Sequence, residues 1–196
     1  DDEVRILGTV IQREAYRFLM RSKLFQLIQG AGVLSHPVME AIVENRILSN
    51  NAVGAQFEEW FLRQPLAIAI RESSAFIGDH AEESYLSDAP TWRVTSLARG
   101  SAQELFSFVD RMGAPQNLRL TYVDDQIESL AAAGELASEL EMDDRVSLVR
   151  LNVLVRGMIR TRLRLVPQDL IFYQAMIQEI SEDALLDLLD EVYSLL

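Results

Sequence analysis

Asp124 and Asp125 close the run Leu118-Arg-Leu-Thr-Tyr-Val-Asp-Asp125, and the small-residue stretch Ala98-Arg-Gly-Ser-Ala102 lies upstream of it. The separation is near the ~20 residues at which a ribose-binding acid follows the glycine turn of a nucleotide-binding βαβ unit. A carboxylate at a strand end can accept both hydroxyl protons of a ribose. Small residues at a strand-to-helix turn let the backbone approach a ligand and point free N–H groups at it. Taken alone, Asp124 also reads as a turn or helix-cap acid, and Asp125 reads as a cap for the helix that follows. Gly100 serves either close backbone approach to a ligand or close strand–helix packing. Tyr173 and Gln174 end a later apolar run, where α/β sheets present groups to a substrate; Tyr173 reads equally as a core aromatic.

These residues need elements to hold them. Val94 to Leu97 reads as a short buried strand, followed by an amphipathic helix over about 101–112. Gly113-Ala-Pro115 is a turn, then come a strand at 118–123 and a helix over about 126–140. Val146 to Val149 and 169–173 read as two further strands, and 184–196 as a closing helix. Strands alternating with helices predict a parallel sheet wound by right-handed crossovers. The expected fold is α/β, an incomplete Rossmann-like parallel sheet of about four strands in the order third, second, first, fourth. Residues 1–87 read instead as all-helical. Ser35-His36-Pro37 looks like a helix start, the helix it opens runs to Ser49-Asn50-Asn51, and Pro65 interrupts a later segment. The expected division is therefore a helical region over 1–87 and a Rossmann-like domain over 88–196. Phe57, Trp60, Phe61, Ile68, Ile70 and Phe76 exceed what a thin helical layer buries within itself, so the helical region is expected to act as a lid over the strand ends.

Composition narrows the function. The chain has 196 residues and a net charge of −12, which argues against a nucleic-acid binder, because phosphate neutralisation needs a clustered positive surface. Its one basic cluster, Arg156, Arg160, Arg162 and Arg164, could hold an anionic group or form a solvated face. No cysteine is present, so disulfides, thiolate metal sites and cysteine nucleophiles are excluded. His36 and His80 lie far apart and make no ligand pair. No apolar run reaches the ~20 residues of a membrane span and no signal peptide is visible, so the expected location is cytoplasmic. The start at Asp1-Asp2-Glu3, without methionine, suggests a longer protein. The strand at 169–173 would stand at a sheet edge, where a further strand after residue 196, a homo-oligomer or another partner is expected to cover it.

From about residue 90 onward the chain resembles class I S-adenosylmethionine-dependent methyltransferases. The resemblance lies in Val94-Thr-Ser-Leu-Ala-Arg-Gly-Ser-Ala102 as the glycine-loop motif and in Leu120-Thr-Tyr-Val-Asp124 as the second strand with its acid. Arg145-Val-Ser-Leu-Val-Arg-Leu-Asn-Val153 fits the third strand, and Pro167-Gln-Asp-Leu-Ile-Phe-Tyr173 the fourth. Including His36-Pro-Val-Met-Glu-Ala-Ile-Val-Glu-Asn-Arg46, the run is similar to bacterial extracellular-factor 3-hydroxypalmitic acid methyl ester biosynthesis proteins. The resemblance implies S-adenosylmethionine as cofactor, held by Ser96, Ala98, Gly100, Asp124, Asp125, Asn152, Val153 and Tyr173, with Asn152 at the adenine amino group. It implies methylation of a carboxylate or hydroxyl of a small, acyl-type acceptor. No catalytic acid/base pair is needed, since methyl transfer depends on alignment. The family's loop usually opens with an acid and carries three glycines, whereas here Ser96, Ala98, Gly100 and Ala102 hold those positions. That departure supports an alternative expectation, a non-catalytic regulatory or interaction module on a degenerate methyltransferase fold.

Overall fold

The computed structural model describes residues 13–33, 35–98, 102–153, 155, 157–159, 163, 166–174 and 181–196. By its internal contacts the chain divides into two compact units, one ending at Glu72 and one running from Ser73 to Leu196.

The first unit is helical. Residues 13–19 form α1, followed by α2 (Lys23–Ala31), α3 (His36–Val43), α4 (Ala52–Leu62) and α5 (Pro65–Glu83), which runs on into the second unit. Polar caps set the starts. Ser22 Oγ accepts from Phe25 N to open α2, and Asn51 Oδ1 accepts from Gly54 N to open α4. Leu24, Val38, Ala41, Ile42, Leu62 and Ala67 form the core of this unit. Phe57 stands edge-on to Phe25 at 6.0 Å, and Phe61 and Ile70 pack against the core.

The expected continuation of α3 to Ser49 does not form. Asn45 takes φ 53°, a left-handed conformation that asparagine tolerates better than most residues, and Arg46 N closes back on Ala41 O. Beyond that stop, the amides of Leu48 and Ser49 both donate to one carboxylate oxygen of Glu58. Glu58 is fully buried on α4. Its other oxygen accepts from Ser22 Oγ at 2.9 Å, Leu24 N at 3.0 Å and Ser49 Oγ at 2.5 Å. Burial pushes this carboxyl upward, but the hydrogen bonds from Leu24 N, Ser49 Oγ, Ser49 N and Ser22 Oγ outweigh it and hold it below the ordinary glutamate value.

The second unit is α/β. Its strands are β1 (Trp92–Ala98), β2 (Leu118–Asp124), β3 (Val146–Arg150) and β4 (Leu170–Gln174), with α6 (Gln103–Arg111) and α7 (Ile127–Glu139) between the first three and α8 (Glu182–Tyr193) last. The sheet is wholly parallel, as the alternation of strands with helices led one to expect, and its order β3-β2-β1-β4 is the usual winding of a Rossmann-like sheet. Side chains alternate across it. Trp92, Val94, Leu118, Leu120 and Tyr122 face α6 and α7 and pack with Phe106, Phe108, Val109, Leu130 and Ala133. Leu97 and Val123 face the other way, against Leu151, Val153, Ile159, Leu163 and Leu188 of α8. The winding reverses after β3, so the connection to β4 covers the face opposite α6 and α7. Each large side chain so buried contributes roughly 1.5–3 kcal/mol.

Candidate functional site

The register brings the strand ends together. Leu97 pairs with Val123 and Tyr173, Ala98 with Gln174, and Asp124 with Arg150. The carboxyl edge of the sheet is thus lined in order by Arg150, Asp124, Ala98 and Gln174. The strand order reverses at β1, which stands between β2 and β4. In open α/β sheets the crevice beyond the strand ends at such a point is where ligands sit.

Asp124 is held from several sides. It is fully buried, and its side chain lies on the α6/α7 face beneath the start of α7. Gln126 N donates to Oδ1 at 2.8 Å, and Ser129 Oγ donates to Oδ2 at 2.9 Å. Tyr122 OH and Ser129 Oγ share a hydrogen bond at 2.7 Å, and Tyr122 OH stands 3.5 Å from Oδ2. The Asp124 main-chain oxygen accepts from Leu151 N, which fixes the chain just past β3 against the end of β2. Asp125 follows on the turn, and its main-chain oxygen accepts from Arg150 Nε at 3.3 Å.

The remaining expected site residues separate by face. Ser96 is nearly buried, level with Tyr122 and Phe172, on the side of the sheet that carries Asp124. Asn152 lies just beyond β3 and is half-buried, its main-chain oxygen accepting from Val155 N. Val153 is buried in the cluster with Leu188, and Tyr173 packs against that same cluster. Ala98 is the last residue of β1. Gly100 and its neighbours Arg99 and Ser101 lie outside the described residues, as do Arg156, Arg160, Arg162 and Arg164.

Reading the chain residue by residue missed two groups here, Tyr122 and Ser129. The available signals were slight. Tyr122 lies two residues before Asp124 and so on its face of the strand. Ser129 is a polar residue beside the buried positions Leu130, Ala133 and Ala137 of α7. Among the described residues no three His, Asp or Glu side chains gather as metal ligands, and no helix is long and apolar enough to cross a membrane.

Fold and edge together define a Rossmann-like α/β protein whose candidate ligand edge centres on Asp124. No protein-family model matches the chain, and no curated protein matches it in sequence. Among solved structures, a possible exported protein from Bordetella parapertussis is similar over 93% of this chain, at 20% identity and a TM-score of 0.73. This chain spans 57% of that protein's length, and the likeness is one of fold. The apo form of the S-adenosylmethionine-dependent methyltransferase SibL aligns with 96% of this chain and 54% of its own, at 12% identity and a TM-score of 0.49. An O-methyltransferase family 2 protein from Planctomyces limnophilus, in complex with apigenin, aligns with 79% of this chain and 51% of its own, at 16% identity and a TM-score of 0.43.

Proposed function

We propose that the chain is the cofactor-binding part of an S-adenosylmethionine-dependent methyltransferase, acting on a carboxylate or hydroxyl of a small, fatty-acid-like acceptor. One observation carries the reading. Asp124 ends β2 beside the end of β1, next to the point where a parallel sheet of order β3-β2-β1-β4 reverses. The side-chain chemistry suits an adenosine. Asp124 would take the ribose hydroxyls, Asn152 the adenine amino group, and the backbone from Ser96 through Ala98 to Gly100 would approach the amino-acid end. Val153 and Tyr173 supply the apolar support beneath that edge. When bound, the cofactor's sulfonium supplies an electrophilic methyl group. The chain's own contribution is alignment, which by itself can remove several kcal/mol from a two-body reaction, about 7–11 at the upper end.

Calorimetry with S-adenosylmethionine and S-adenosylhomocysteine on the full-length protein tests this. Saturable binding is expected, and Asp124→Ala, checked for its fold by circular dichroism, should weaken it by roughly ten-fold or more, about 1.4 kcal/mol. A folded full-length protein that binds neither compound overturns the reading.

A further inference from the structure

We infer that Ser129 and Tyr122 are positioning residues that hold the Asp124 carboxylate in the plane needed to grip a vicinal diol; the inference rests on the cofactor reading above. Capping α7 uses one backbone donor, and Gln126 N supplies that bond to Oδ1 at 2.8 Å. Asp124 receives more. Ser129 Oγ donates to Oδ2 at 2.9 Å, and the Tyr122 hydroxyl is bonded to that same Oγ at 2.7 Å. All three side chains are fully buried. The Ser129 hydroxyl serves the carboxylate, since alanine there would take that donor away from the buried Oδ2.

Their physical effect falls on one torsion. A carboxylate held at one oxygen can still turn about its Cβ–Cγ bond. Held at Oδ1 from the α7 start and at Oδ2 from within α7, it cannot. Two hydroxyls on adjacent ribose carbons form a bidentate pair, and gripping them requires that the acceptor plane be set before the ligand arrives. The tyrosine adds a second level of restraint. Ser129 can rotate its hydroxyl among three staggered positions, and the bond to Tyr122 selects the one directed at Oδ2. Tyr122, Asp124 and Ser129 thus join β2 to the first turns of α7 through a chain of hydroxyls ending on the carboxylate.

The experiment compares two ligands rather than one. S-adenosylhomocysteine and its 2′,3′-dideoxy counterpart are titrated against wild type, Ser129→Ala, Ser129→Thr and Tyr122→Phe, each checked for cooperative unfolding. Wild type is expected to favour the diol by roughly ten-fold or more. Ser129→Ala should lose most of that preference with little change for the dideoxy ligand, Tyr122→Phe should lose part of it, and Ser129→Thr, which keeps the hydroxyl, should retain it. Equal weakening of both ligands, or an intact diol preference in folded Ser129→Ala, overturns the inference and leaves the cofactor reading standing. Should Ser129→Ala not fold, an unchanged diol preference in Tyr122→Phe overturns it as well. Wild type that binds neither ligand overturns the cofactor reading, and this inference with it.

Discussion

Glu58 shows how far a single side chain can organise a fold. Its carboxylate collects two hydroxyls and three backbone amides from the α2 start and the 48–49 segment. Five donors converge on it, so a neutral amide in its place would turn an NH₂ group toward them. Leaving buried donors unsatisfied costs about 1–3 kcal/mol each, so Glu58→Gln should destabilise the helical unit by at least about 2 kcal/mol in denaturant unfolding. The pH dependence has a definite sign. The folded-state pKa lies below the ordinary value, so the unfolded chain takes up the proton first as pH falls. The stabilisation is complete above the unfolded value near 4.3 and is lost as pH falls through the depressed folded value. Unfolding curves from neutrality into acid should show that loss in wild type, and Glu58→Gln should remove it. An acid limb unchanged by the substitution would mean that other carboxylates set it.

At the scale of elements, α4 approaches the turn before α2 closely enough that a side chain is excluded. A Cβ on Gly54 would lie 2.5 Å from the Arg21 main-chain oxygen and 2.6 Å from Ser49 Oγ. Asn51 Nδ2 donates to that same Arg21 oxygen at 2.9 Å, which ties the two helix starts together. Two effects compete in Gly54→Ala. Alanine gains up to about 1 kcal/mol in helix propensity, while overpacking against fixed atoms costs typically 1–3 kcal/mol. The nearest obstacle is backbone and cannot swing aside, so the steric cost wins. Thermal unfolding of Gly54→Ala should show a lower midpoint than wild type; a higher one would mean that the turn at Arg21 yields.

For the whole molecule, the prediction concerns residues 1–87 as a lid. The proposal is that this region excludes water and shapes the acceptor pocket. Residues 88–196, expressed with whatever native sequence follows them, should then be poorly soluble or lose cooperative unfolding, and should bind S-adenosylhomocysteine more weakly than the whole protein. A soluble, cooperatively folding fragment with undiminished affinity defeats the proposal.

What the sequence determined by itself was the local and the sequential. Strand runs such as Leu118–Asp124 are legible as short apolar-rich segments within seven residues, and the alternation of strands with helices points to a parallel sheet. The acid at the end of β2 was legible for the same reason, since a strand end and a small-residue turn a short way upstream are both local features. The tertiary structure alone decided which faces these residues occupy and what surrounds them. Tyr173 and Val153 fell to the α8 side while Ser96 and Asp124 fell to the α6/α7 side, because strand register fixes the face and no single segment encodes register. The donors around Glu58 come from as far as 36 residues away, at Ser22. Serines and a glutamate so separated leave no periodic trace in the chain; only folding brings their polar atoms within hydrogen-bond reach.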